Sequence, residues 1–94
     1  MDSPYGQRVP EVVVMTPTGF AQAGEALLAV QQQRTVVLHL GAMASDEAQR
    51  TIDFVSGGVF AMDGQSERLG EMVFLFAPAL VRIEHDRDRE TESI

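Results

Sequence analysis

The side chains in this sequence that could carry chemistry are few and scattered. Its two histidines, His39 and His85, lie far apart, with no cysteine and no carboxylate cluster to join them. Metal ligation and general acid–base work need several such groups converging, so neither is expected of these two. Thr16-Pro17-Thr18-Gly19 could hold an anion at the start of a helix. It lacks the glycine spacing and the lysine of a nucleotide loop, and reads first as a strand-to-helix turn. Asp63-Gly64-Gln65-Ser66 reads as a hairpin turn before it reads as a metal loop. Ser3, Ser45, Ser56, Ser66 and Ser93 have no nucleophile-elbow context. No catalytic constellation, no metal site and no cofactor is expected, so the chain does not read as an enzyme.

One stretch offers recognition instead of catalysis. Arg50, Asp53, Phe54 and Gly57 recur at spacings of three or four, which sets them on one stripe of a helix. Two readings fit that stripe equally. In one, Phe54 is an edge-of-core side chain and Arg50 a solvated charge. In the other, an aromatic anchor, an adjacent arginine and a glycine that permits close approach form a protein-contact surface.

The elements that must position this stripe follow from the apolar periods. Val12–Met15 is a run of strand formers, closed by Thr16–Gly19. Phe20, Ala23, Leu27 and Val30 then keep the helical period, with Thr18 as the expected N-cap. Thr35–Leu40 is a second strand. Ser45, followed by Asp46 and Glu47, is the expected start of a second helix, with acids near the positive end of its dipole. Ala48, Ile52 and Val55 form its core stripe, and Ser56-Gly57-Gly58 is expected to stop it. The remainder reads as short strands at Val59–Met62, Glu67–Leu69, Met72–Phe76 and Leu80–Glu84. The expected fold is α/β, an α+β sandwich of order βαβαβββ, with two helices on one face of a sheet of about five strands drawn from these six segments.

The strands carry apolar residues on both faces: Val36, Leu38 and Leu40 oppose Val37, and Met72, Phe74 and Phe76 oppose Val73 and Leu75. Such sheets are normally covered on both sides. Two helices cover one face, so the other is expected to meet a second copy of the chain.

Composition bounds the rest. With 94 residues, 45% of them apolar, the chain is one small folded domain with a thin core. Residues 1–10 read as a loose leader, 11–84 as the folded domain and 85–94 as a solvated acidic tail. Fourteen acids against seven arginines and no lysine give a net charge of −7. Nucleic acid is bound mainly through basic side chains, so it is not an expected partner. An anionic bilayer would repel the chain for the same reason. No apolar run approaches the length of a membrane span, nothing resembles a signal peptide, and the expected compartment is the cytoplasm.

Thr35–Leu40 (TVVLHL), Ala48–Gly58 (AQRTIDFVSGG), Ala61–Gly64 (AMDG) and Phe74–Pro78 (FLFAP) together resemble the SepF family of bacterial cell-division proteins, in a wording most like its cyanobacterial members. The resemblance runs from Glu11 to about Glu84, in order and without large gaps. It implies a non-enzymatic dimer at the division septum that polymerises, binds the C-terminal tail of the tubulin-like FtsZ, and tethers it to the membrane. Implied tail-binding residues are Arg50, Asp53 and Phe54, and implied oligomerisation residues are Gly57 and Gly58. The family's membrane attachment is an N-terminal amphipathic helix, which Met1–Pro10 does not resemble, so tethering is expected of a longer parent only. His39 stands where the family commonly has asparagine. The alternative is a small regulatory domain of the STAS or ACT kind, for which Ser45 would be the candidate phosphorylation site.

Overall fold

In the computed structural model, residues 9–84 and 86 are described. Most of the expected leader and tail, His85 included, lies outside them. The element order is β1 (Val12–Met15), a 3-10 turn (Phe20–Gln22), α1 (Ala23–Gln31), β2 (Thr35–His39), α2 (Ser45–Ala61), β3 (Gln65–Arg68) and β4 (Val73–Ala77). The four strands form one sheet in the order β1-β2-β4-β3. β1 pairs parallel to β2, while β4 runs antiparallel to both of its neighbours. Both helices lie on the same face.

The register sorts the strand residues by face. Val13, Val36, Phe76 and Ser66 form one row on the helix side, and Met15, Leu38, Phe74 and Arg68 the next. Val36, Leu38, Phe74 and Phe76 are buried, joined by Ala26, Val30, Val55 and Val59 from the helices. Thr51 is the one fully buried polar side chain among the described residues, and its hydroxyl donates to Met43 Sδ at 3.6 Å. Among the described residues the opposite face carries no helix. Its central row is Val14, Val37, Leu75 and Glu67.

Three expectations are corrected. The second helix does not stop at Ser56-Gly57-Gly58 but continues through Val59 and Phe60 to Ala61, so Val59–Met62 is not a strand. Neither glycine has the positive φ of a helix cap. Val59 is buried on the helix's inner side, and that gain holds the helix through two poor helix formers. The stop comes at Asp63, with φ 60°, where the Asp63 N–H donates to Phe60 O and the Gly64 N–H to Val59 O. This is a Schellman closure, not a hairpin turn. Gln33, with φ 70°, closes α1 in the same way. Secondly, Leu80–Glu84 is not a strand, and the sheet has four strands, not five. Pro78 breaks the run, Val81 N–H turns back to Pro78 O, and the Gln65 amide donates to Val81 O. Thirdly, neither expected cap forms. Gln22 Oε1 accepts from the Thr18 N–H and hydroxyl, and Ala44 occupies the cap position of α2 with Ser45 as the first helical residue.

Two glycines give opposite expectations under substitution. A Cβ on Gly57 meets nothing within 4 Å, whereas one on Gly64 would lie 2.6 Å from the backbone oxygen of Ala77. In chemical denaturation Gly57→Ala should gain about 0.5–1 kcal/mol, the helix-propensity difference. Gly64→Ala should lose about 1–3 kcal/mol, because a backbone carbonyl cannot step aside. A loss at Gly57 would return it to the role of a cap.

Candidate protein-contact site on the second helix

The outward face of α2 presents Arg50, Asp53, Phe54, Gly57 and Phe60, all exposed. Within it, the structure brings some of the expected residues together and separates others. Phe54 meets Phe20 edge to face, with ring centroids 5.6 Å apart and planes at 74°. The Arg50 guanidinium lies over the Phe20 ring, 4.3 Å from its centroid. Arg50 and Phe54 therefore act through a common neighbour, and each aromatic contact of this kind is worth about 0.5–1.5 kcal/mol. Phe54 remains 46% exposed, so its ring is held but not covered.

Phe20 is the residue that the spacing argument on α2 missed. Its period assigned it to the core stripe of α1, yet it heads the 3-10 turn before α1 and is half-buried. The Thr18–Gln22 bonds fix that turn and aim the ring at α2. Only the helix-to-helix packing reveals the triad.

Asp53 belongs to the other flank. Its Oδ1 accepts from Gln49 Nε2 at 2.9 Å, one turn back along the helix. Gln49 in turn lines a shallow groove of about 250 Å³ between α2 and the β3–β4 end of the sheet, with Ser45, Ile52, Arg68 and Met72. Arg68 closes that groove: it stacks at 5.4 Å on Phe74 and donates to the carbonyls of Gly70 and Glu71. The α2 face thus joins an aromatic–arginine patch on one side to a part-apolar groove on the other.

The two glycines also divide. Gly57 opens outward, next to Phe54 on the helix surface. Gly58 turns inward, where a Cβ would fall 2.5 Å from both methyl carbons of Leu27 on α1. Gly58 sets how closely the helices pack; Gly57 leaves a notch in their outer surface. Among the described residues no group of three or more His, Cys, Asp or Glu could hold a metal ion, and no helix is long and apolar enough to cross a membrane.

Comparison with known proteins fits this geometry. Residues 12–83 match the family model described as cell division protein SepF. The cell division protein SepF of Synechococcus elongatus is 49% identical over 73 residues, covering 78% of this chain and 38% of that protein. Its counterpart in Synechocystis sp. is 45% identical over 85 residues, covering 90% and 46%. This chain spans less than half the length of these relatives. Among solved structures, the SepF-like protein from Pyrococcus furiosus superposes with a TM-score of 0.73 at 9% identity, over 82% of this chain and 96% of that one. The SepF-like protein from Archaeoglobus fulgidus gives 0.65 at 17% identity, over 82% and 95%. These two establish the likeness of fold, and the match across β1 to the end of the folded domain establishes the rest: the chain belongs to the SepF family of cell-division proteins.

Proposed function

We propose that this domain is a non-enzymatic assembly module of the division septum, which binds the C-terminal tail of FtsZ and links copies of itself into polymers. The observation that carries the reading is the exposed Phe54–Phe20–Arg50 cluster on the outer face of α2. A half-exposed aromatic, rigidly backed and flanked by arginine, is the usual anchor of a protein contact. The tail would lie on Phe54 and Arg50, with Asp53 and its Gln49 partner orienting the segment toward the adjacent groove.

Assembly uses two further surfaces in this reading. The bare sheet face meets the same face of a second copy. Val12 and Val14 are 65% and 70% exposed there, and burying each would gain up to about 1.5–3 kcal/mol. A chain of net charge −7 offers on this face one acidic strand residue, Glu67, so two copies can meet there without strong repulsion. Dimers then join through the notch at Gly57, with Gly58 keeping α1 drawn in so that the helix layer stays low. Attachment to the membrane is assigned to sequence outside this domain, since an anionic bilayer would repel its surface.

Three variants test the three surfaces. Phe54→Ala should fold normally and weaken FtsZ-tail peptide binding by about thirtyfold, the loss of a 2 kcal/mol anchor. Unchanged affinity in calorimetry would remove the tail site from α2. Val14→Asp should give a folded monomer by light scattering where the parent is a dimer. Gly57→Lys should remain a folded dimer yet form no larger assemblies by sedimentation, while Gly57→Ala assembles like the parent. Polymers from Gly57→Lys would show that the notch is not a contact.

A further inference from the structure

The central strand of the bare face carries an ionisable group that neither the tail site nor the polymer contact uses. Residues 35, 37 and 39 of β2 face away from the helices, so His39 shares that face with Val37, and its cross-strand partner on β4 is Val73. We propose that His39 makes dimerisation through this face sensitive to pH, favouring the dimer when the imidazole is neutral and releasing it on acidification. The inference rests on the sheet-face dimer proposed above.

One ring nitrogen is engaged at the end of its own strand. The Gly41 N–H donates to His39 Nδ1 at 3.4 Å, so that nitrogen is the acceptor in this contact. The ring lies close against the Gly41 backbone, where a Cβ would fall 2.9 Å from His39 Cε1. A doubly protonated ring would turn an N–H toward the Gly41 N–H and lose that bond.

The surroundings give an imidazolium little compensation. Continuing the register, Thr16 beyond the end of β1 and Leu69 beyond β3 lie in the row of His39, and Val73 lies between Leu69 and His39. The charged strand residue of this face is Glu67, one row away and across β4, opposite Leu75. Arg68 and Glu71 face the groove on the helix side, and Arg82 and Glu84 pair with each other on the exposed segment after β4. In a face-to-face dimer the two sheets lie about 10 Å apart, and the strand residues between them lose water. Desolvation disfavours the charged form of a histidine. The sign follows. The dimer is fully favoured at pH values where the free chain's imidazole is neutral, and weakens as pH falls and protons bind the monomer more tightly than the dimer. Carboxylates stay largely ionised over the range in which a histidine titrates, so they change the net repulsion little there.

Sedimentation equilibrium of the 94-residue chain at about pH 8 and about pH 5.5 reads this out. The dimer dissociation constant should be higher at the lower value, by up to about tenfold for each of the two imidazoles buried per dimer. His39→Asn keeps an acceptor for Gly41 but does not titrate, and should dimerise equally at both values. His85→Asn should behave as the parent. A parent dimer that Val14→Asp abolishes, but whose affinity is the same at both values, overturns the role of His39 and leaves the sheet-face dimer standing. Loss of the pH dependence in His85→Asn overturns it also. A parent that is monomeric throughout, or a Val14→Asp variant that still dimerises, overturns the sheet-face reading and the inference with it.

Discussion

The helix layer depends on a leucine packed against a missing side chain. Leu27 of α1 fills the space that a Cβ on Gly58 would need, so the two helices approach more closely than a side chain at position 58 would permit. That approach has consequences in three directions. It brings the 3-10 turn before α1 up to α2, which is why Phe20 reaches both Phe54 and Arg50. It holds the last turns of α2 against the sheet through Val55 and Val59, so a helix with adjacent glycines does not fray. It also gathers both helices over one side of the sheet. Among the described residues the other side is then left without a helix, and Val12 and Val14 stand exposed on it.

Burial also explains how so small a sheet is stable enough to carry a functional surface. The helix-side rows are continuous across β1, β2 and β4, with Phe74 and Phe76 stacked at 6.4 Å on the central antiparallel strand. β3 contributes Ser66 and Arg68 to those rows instead of apolar groups, so the core thins toward that edge. The shallow groove beside α2 lies where it thins. The groove thus arises where the two layers part, without any dedicated cavity.

Much of this was legible in the sequence, and the failures have physical causes. The period of Ala48, Ile52 and Val55 located the inner face of α2, and the strand formers at Val12–Met15 and Thr35–His39 located β1 and β2. Apolar residues at both phases of β2 and β4 revealed a sheet with helices enough for one side only. Ser56-Gly57-Gly58 misled because helix propensity is a local quantity, whereas the fit of Gly58 under Leu27 is tertiary. The same misreading turned Val59–Met62 into a strand. Leu80–Glu84 has the alternation of a strand, but after Pro78 the chain turns, with the Val81 N–H bonded back to Pro78 O. Of the candidate site, the Arg50–Phe54 pair could be read from its spacing along one helix. Phe20 could not, since its role depends on a contact between residues distant in the chain.

The strand order carries a consequence for how the polypeptide is made. β2 is central, but its antiparallel neighbour β4 is the last of these four strands to be synthesised, and β1, both helices and β3 all precede it. Until Phe74 and Phe76 emerge, one edge of β2 is unpaired, and Val36 and Leu38 lack the ring faces that cover them. The nascent chain therefore passes through a stage with an open sheet edge and uncovered apolar side chains, the state most prone to pair with the wrong molecule. Closing the sheet joins positions as distant as Val36 and Phe76, a non-local pairing of the kind that slows folding relative to local helix formation. A ribosome must release β4 before α2 has the complete sheet it packs on.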